Sequence, residues 1–577
     1  MNKKARIVVS LWKRLSRGQK VILILVSLGN TLAAATIVLP SVVIGRIVTS
    51  LSDDSSAAVA NYVLMLGGLL LGFVVLRTVI HVSLHSVLPR VEAALREAQL
   101  EHVLKTPVLA NAQTQYTAEL NSLMGRGAKA GADTVRIVFA DLMPAAMQAV
   151  AAAVAAFAAE WMISVILLAS GLVSTVITHF QLRSQGGVRV AINQAKARLD
   201  GIMTELLRGK AVIRTLDAAD AESARVGQRA LELSAVEVRH HKVMGFFDAA
   251  KTSAEGLFSV VVLVVAAGLV AGGASPGTVL TLYLLFMQFA APLREIHRIR
   301  DELNESGLQL REALSILGQT LDPLFTRPAV APHIEGADVV IDTVRFTYPD
   351  GNRALRGVSL NLPASGYLGI CGPAGCGKTT LIQTLVGILP AAGGHISVGG
   401  VDVADMNSAQ LAATVAYVSQ TPYLVSGTIR ANLLLGQSEP VSDARLEAAL
   451  KQVGLLAEIS GLDAAIGEDG RGLSGGQRQR LVLARVLLRP AKVIVLDEAT
   501  SALDTLNEEQ FMRALLASGR TVVAIAHRLS TLRRADEIIV MDHGRIVESG
   551  THEALEACDG LFHRLLHADE HEFRTVA

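Results

Sequence analysis

The chain has 577 residues, of which 51% are hydrophobic and 18% charged, and its formal net charge is +1. That length holds about three or four domains' worth of chain. The near-zero charge leaves no global signal for nucleic acid or an acidic partner, and the apolar excess is not that of an ordinary soluble protein. The three cysteines, Cys371, Cys376 and Cys558, lie in the second half and read as a reduced compartment rather than a disulfide scaffold.

The first twenty residues carry Lys3, Lys4, Arg6, Lys13, Arg14, Arg17 and Lys20 and no acid. They read as an amphipathic segment on a cytoplasmic membrane surface, because the apolar run that follows is too long for a secretory leader. Six apolar segments then approach the roughly 20 residues a spanning helix needs: 21–48, 60–88, 136–158, 162–181, 245–271 and 276–296. The loops 49–59, 159–161 and 272–275 hold no Lys or Arg. The opposite side holds the basic N-terminus and the long polar stretches 89–135 and 182–244, which the positive-inside rule makes cytoplasmic.

This predicts an all-α membrane domain over 1–318, with six transmembrane helices and long cytoplasmic extensions. The expected setting is a bacterial-type plasma (inner) membrane, with both termini cytoplasmic. Pro107 and Gly209 break the two long stretches. Each break fits either a short transverse helix at the tip of a helical hairpin or a plain helix-breaking turn. A helical pattern from Arg300 to Leu317 stops before Pro323, Pro328 and Pro332. A linker is therefore expected over 319–337 and an α/β domain over 338–577.

That second domain centres on Gly372-Pro373-Ala374-Gly375-Cys376-Gly377-Lys378-Thr379-Thr380, between an apolar strand pattern and a helix pattern. Strand, Gly-rich loop and helix are the context of a phosphate-binding loop. Its N–H groups would wrap a β-phosphate, Lys378 would reach the β/γ-phosphates, and the Thr379 hydroxyl would ligate Mg²⁺. Cys376, at the helix N-terminus, is expected to have a lowered thiol pKa and to make the protein sensitive to alkylation. Tyr348 ends an alternating strand upstream and reads as a platform for adenine. Val493 to Leu496 is a buried-strand pattern ending in Asp497 and Glu498. Alone, such a pair is usually a solvated turn. Downstream of a phosphate loop, the first carboxylate would hold Mg²⁺ and the second would orient or deprotonate water.

Leu473-Ser474-Gly475-Gly476-Gln477, continuing into Arg478-Gln479-Arg480, resembles the signature motif of ATP-binding-cassette (ABC) proteins. Gln420 resembles the Q-loop glutamine, Ser501-Ala502-Leu503-Asp504 the D-loop, and His527 the switch histidine. Gly467-Glu468-Asp469-Gly470 is similar to the loop by which exporter-type members touch their membrane domain. In the order of its parts, essentially the whole chain resembles an exporter-type half-transporter. The resemblance implies ATP and Mg²⁺ as cofactors, with the metal held by Thr379, Gln420 and Asp497. It makes Glu498 the general base, places His527 on the γ-phosphate, and gives Lys378 and Gln420 catalytic parts. The signature residues would complete the site of an opposing cassette, so the working unit would be a homodimer or a heterodimer with a second half-transporter.

Ionisable residues within spanning segments are functional candidates by default. Arg77, His81 and His85 recur on one face of the second segment, Lys251 lies on the fifth and Arg294 on the sixth. Snorkelling, or pairing of Lys251 with Asp248 or Glu255, is the plainer reading. If Arg77 and Arg294 share a central cavity, a dimer would line it with a basic ring suited to an amphipathic, anionic cargo: a lipid, a peptide or a drug-like compound. The expected function is ATP-driven movement of such a compound out of the cytoplasm or inner leaflet by alternating access. The alternative is an exporter-fold importer of a metal–siderophore complex, alone or as half of a heterodimer. The six segments exclude a soluble cassette ATPase acting on nucleic acid.

Overall fold

The computed structural model describes residues 16–108, 117–184, 188–328, 334, 336–437, 439–500, 503–526 and 529–567. It divides into two compact units, one of Met1–Val103 with Tyr116–Gly318, the other of Leu104–Gln115 with Gln319–Ala577.

The first unit is helical. Its elements are α1 (Arg17–Ser52), α2 (Ser56–Leu104), α3 (Thr117–Arg136), α4 (Met143–Ala159), α5 (Trp161–Ser184), α6 (Val188–Arg208), α7 (Lys210–Thr215), α8 (Ala219–Ala271) and α9 (Gly277–Ile316). A π-helical stretch, Ile137–Leu142, joins α3 to α4. Among the described residues, six helical stretches are long and apolar enough to cross a membrane. The expected extensions are present: α2 has 49 residues and α8 has 53. At 1.5 Å per residue, α8 is about 80 Å long, more than twice the hydrocarbon thickness.

Ser16 starts α1 with a capping box, its hydroxyl accepting from the Gln19 N–H. Helix α9 packs against α1, α3, α4, α5 and α8. Water-excluding clusters form at two levels, one including Leu23, Leu84, Val91, Ala128 and Leu310, the other Val38, Ala152, Ala156, Leu282 and Phe286. Close approach of α1 to α9 depends on two glycines. A Cβ on Gly277 would overlap the Gly45 carbonyl oxygen, and one on Gly45 would overlap the Thr281 hydroxyl. Lipid supplies no hydrophobic force between helices, so such contact is what holds them. Gln288 adds a polar tie, its Nε2 donating to Ile37 O (2.9 Å) and Ser41 Oγ (2.7 Å).

At Gly209, where sequence allowed either a short helix or a plain turn, the structure contains a short helix, α7, of six residues. At the other break α2 ends at Leu104, and 109–116 lie outside the described residues, as does the basic N-terminal segment 1–15. The proline-rich stretch after α9 is not wholly irregular. Asp322 caps a one-turn helix, Pro323–Thr326, through the Leu324 N–H (2.9 Å), and proline suits that first position because its missing N–H would have no partner there.

The second unit contains β1 (Val339–Thr347), β2 (Arg353–Leu362), β3 (Tyr367–Cys371), β4 (Gly393–Val398), β5 (Val401–Asp402), β6 (Val415–Val418), β7 (Gly427–Thr428), β8 (Ala465–Ile466), β9 (Val493–Asp497), β10 (Thr521–Ile525), β11 (Glu537–Asp542) and β12 (Arg545–Gly550). The main sheet runs β12-β11-β3-β10-β9-β6, parallel except for its β12 edge. Every residue of β3, β9 and β10 is buried, which is why these strands read as continuous apolar runs. An antiparallel sheet, β2-β1-β4-β5, lies beside it in sequence and shares its core with the phosphate-loop helix. Because β3, β10 and β9 are parallel neighbours, the segments that follow them emerge at one edge, where open α/β sheets place their ligands.

Candidate functional site

The loop after β3 has left-handed backbone at Gly372 (φ 144°), Gly375 (φ 75°) and Gly377 (φ 110°). Side chains would also fail sterically. A Cβ on Gly372 would overlap the Met541 carbonyl oxygen, and one on Gly377 would sit 2.5 Å from Ala354 O. Helix α10 (Lys378–Leu385) starts at Gly377 with no side-chain cap, so its first N–H groups stay available to an anion. Lys378 Nζ folds back on the loop, donating to Gly372 O (2.8 Å) and Pro373 O (2.9 Å). Tyr348 stands beside the start of α10, its hydroxyl 3.1 Å from Thr380 Oγ1 and its ring edge-on to Phe346.

At the end of β9, Asp497 is buried and both its oxygens are engaged. Thr379 Oγ1 donates to Oδ1 (3.5 Å) and the Tyr417 hydroxyl to Oδ2 (3.2 Å). Burial pushes the Asp497 carboxyl above its usual range, opposed by these two donors and by Lys378. The next residue, Glu498, has a left-handed backbone (φ 51°) and accepts from Gln420 Nε2 at 2.7 Å. A hydroxyl, a carboxylate and an amide converge here, a hard-oxygen set of the kind Mg²⁺ takes. The residues fit that ion.

One expectation is overturned. Cys376 is buried, and burial pushes its thiol up rather than down, with Lys378 opposing only in part. Desolvation of the thiolate outweighs the helix N-terminus.

Ser474 caps α11 (Gly475–Leu488). Its Oγ accepts the Gln477 N–H (3.2 Å) while Gln477 Oε1 accepts the Ser474 N–H (2.9 Å). The hydroxyl proton and the N–H groups of Gly475 and Gly476 are left as donors at a helix N-terminus. Leu473 packs against the core below. Gln479 ties α11 to the end of β9 by donating to Ala499 O (2.6 Å), and Arg480 pairs with Glu458 through two 2.6 Å bonds. In 467–470 the backbone turns left-handed at Asp469, whose carbonyl accepts from Arg478 (3.1 Å). Asp504 caps α12 (Thr505–Ala517), accepting from the Asn507 N–H (2.8 Å), and Leu503 is buried. Ser501, Ala502 and His527 lie outside the described residues.

In the helical unit the four cavity candidates do not converge within one chain. Arg77 and His81 line a cavity of about 380 Å³ between α1, α2 and the α3–α4 region, with His85, Phe73, Arg136 and Asp141. Lys251 and Arg294 line a separate, much smaller cavity between α5, α8 and α9. There Lys251 Nζ donates to Gln181 Oε1 (2.7 Å) and Arg294 pairs with Glu255 (3.4 Å). Arg298 is held by Glu295 and Glu302. Among the described residues Arg77 has no carboxylate partner, only the Phe73 ring at 5.8 Å.

A family model described as "ABC transporter" matches residues 355–501, and one described as "ABC transporter transmembrane region" matches 23–293. The chain belongs to the ABC transporter family. It is 38% identical over 301 residues to an ATP-dependent lipid A-core flippase of Cupriavidus pinatubonensis, covering 50% of each protein. It is 33% identical over 369 residues to the glutathione/L-cysteine transport system ATP-binding/permease protein CydC of Escherichia coli, covering 63% of this chain and 64% of that protein. With the ABC multidrug transporter MDR1 of Cryptococcus neoformans it shares 41% identity over 245 residues, 41% of this chain and 17% of the relative. The matched stretches thus span two thirds or less of these relatives' lengths. The fold is that of the bacterial Atm1-family ABC exporter solved with ATP bound, with a TM-score of 0.81, 23% identity, and coverage of 95% of this chain and 97% of that one.

Tyr417 and Gln479, which in this ABC transporter bond to Asp497 and to the Ala499 carbonyl at the C-terminal end of β9, carry no motif of their own in the sequence. Tyr417 stands three residues before Gln420, but its relation to Asp497 depends on β6 lying beside β9.

Proposed function

We propose that this ABC transporter is a transport-coupled ATPase that binds ATP with Mg²⁺ at residues 372–380 and moves an amphipathic, anionic compound across a bacterial-type plasma (inner) membrane. The observation that carries the reading is the convergence of Lys378, Thr379, Asp497, Gln420 and Glu498 at the ends of β3 and β9. Magnesium bound by Thr379, Asp497 and Gln420 would neutralise charge on the phosphates. Lys378 turns from the loop carbonyls to the β/γ-phosphates, and Tyr348 stacks on adenine. Glu498, already held by Gln420, accepts the proton of the attacking water, with His527 on the γ-phosphate. Ser474, Gly475 and Gly476 offer their donors to nucleotide on an opposing cassette. The protein therefore works as a dimer, of itself or with a second half-transporter. The exposed apolar side chains of Leu207, Val212 and Leu216 around α7 support a docking partner at that tip.

For the cargo, Arg77, which has no carboxylate partner among the described residues, lies beside His81 and His85 and against the apolar Phe73 and Ile37, and so suits an anionic headgroup with an apolar body. Lys251 and Arg294 contribute less, because polar partners already hold them. The test is ATPase activity of the full chain in lipid nanodiscs, with and without anionic lipids and peptides. Wild type should hydrolyse ATP and Lys378→Ala should not. Stimulation by an anionic amphiphile should disappear in Arg77→Ala. Well-folded protein without activity would overturn the homodimeric form of the proposal and move the search to a partner chain. Stimulation unchanged in Arg77→Ala would remove the cargo reading.

A further inference from the structure

Strand β6 lies parallel to β9, with Tyr417 opposite Val495 and Val418 opposite Leu496. This register brings the stretch 417–420 up to the end of β9, where it donates to both carboxylates. The Tyr417 hydroxyl bonds Asp497 Oδ2 (3.2 Å) and Gln420 Nε2 bonds Glu498 Oε2 (2.7 Å). Only the glutamine belongs to the set expected from sequence.

An aspartate carboxyl turns easily about its last bond, which has a broad, two-fold torsional profile. Asp497 does not have that freedom. Oδ1 faces the Thr379 hydroxyl (3.5 Å), and Oδ2 is held from the other side by a phenol whose ring packs against the core of the sheet. A phenol on a packed ring is a stiffer anchor than a serine or glutamine would be, because its oxygen has no torsion of its own.

We propose that Tyr417 is a positioning residue for the metal site: by holding Oδ2 it keeps Oδ1 of Asp497 turned toward Thr379, where the metal of a nucleotide complex is bound. This rests on the reading of the loop as a Mg²⁺–ATP site. Tyr417 acts through Asp497. Its effect is on metal affinity, not on the phosphate cradle, and that separates it from a merely structural residue.

The test uses the full chain in nanodiscs and Tyr417→Phe, which keeps the ring and deletes one oxygen. Mn²⁺, visible by electron paramagnetic resonance, is titrated in the presence of a non-hydrolysable ATP analogue. Binding of a fluorescent ATP analogue in EDTA reports the cradle without metal. Tyr417→Phe should weaken Mn²⁺ binding by about tenfold, as loss of a group that orients a metal ligand typically does, with binding in EDTA unchanged. A shift smaller than about threefold would overturn the proposal, and so would an equal loss in EDTA, which would make Tyr417 a packing residue. Wild-type protein that binds the ATP analogue in EDTA with no response to metal would overturn the positioning role together with the metal part of that reading, and leave ATP binding standing. Wild-type protein that binds no nucleotide at all would overturn the Mg²⁺–ATP reading as well.

Discussion

Glu498, proposed above as the general base, carries its carboxylate on a backbone that disfavours it. A non-glycine residue in the left-handed region costs roughly 1–2 kcal/mol, and Glu498 sits there at φ 51°. Glycine would relieve that strain while ordering a freer backbone, for a net gain of about 1 kcal/mol, or about 2–4 °C in the melting of a domain this size. The carboxylate matters in a different quantity. Losing a general base slows hydrolysis by about 10²–10⁴-fold, or about 3–5 kcal/mol of barrier. Glu498→Gln keeps an acceptor for Gln420 Nε2 and should bind nucleotide as wild type does while turnover falls by that factor. Glu498→Gly should be equally inactive yet melt later. The assays are steady-state ATPase in nanodiscs and thermal unfolding of the same preparations. Turnover of Glu498→Gln above about a tenth of wild type would refute the base assignment. Glu498→Gly melting below wild type would refute the strain argument.

Because burial raises the Cys376 thiol, N-ethylmaleimide should inactivate slowly at pH 7 and faster as pH rises toward that raised value. The measurement belongs in a Cys558→Ser background, since Cys558 is the exposed cysteine and Cys371 is buried with its thiol pushed up to about 12; rapid inactivation at neutral pH that Cys376→Ser abolishes would restore the opposite view. Gly277→Ala should destabilise the helical unit by about 1–3 kcal/mol through overpacking against the Gly45 carbonyl. Gly268→Ala on α8, whose Cβ would meet nothing within 4 Å, is its control in detergent melts, and equal melting of the two would refute that contact.

The phosphate loop and the carboxylates of β9 were legible because local pattern encodes them: glycines where no Cβ fits, and a strand buried on both faces. The apolar segments were legible for the same reason, since length and charge asymmetry survive without any knowledge of packing. What sequence left open is of another kind. Placing Arg77 and Arg294 in one ring used depth counted along two helices, but depth does not say which helices are neighbours or which way a side chain is turned. In the structure α2 and α9 present these arginines to different cavities, and Glu255 holds the second. The lowered thiol expected at Cys376 rests on the helix N-terminus alone, which is visible in sequence, whereas its burial is a property of the folded core. Tyr417 required the order of the sheet, because β6 and β9 are distant in sequence and adjacent only in space.

The π-helical stretch Ile137–Leu142 sets the phase of everything after it. Arg136 and Asp141, five apart, would point well away from each other on an α-helix, yet here they share a 2.8 Å ion pair, and Arg136 reaches Glu302 on α9 as well. The wider turn lets one helix present that polar face and, further on, the buried Ala152 and Ala156 to the same neighbourhood. Removing one residue from this stretch would advance all of α4 by about 100° and swing those alanines out of the packed cluster. A length change of one residue here is therefore a larger event than most substitutions along the same helix, because it turns the whole of α4 against an unmoved α3.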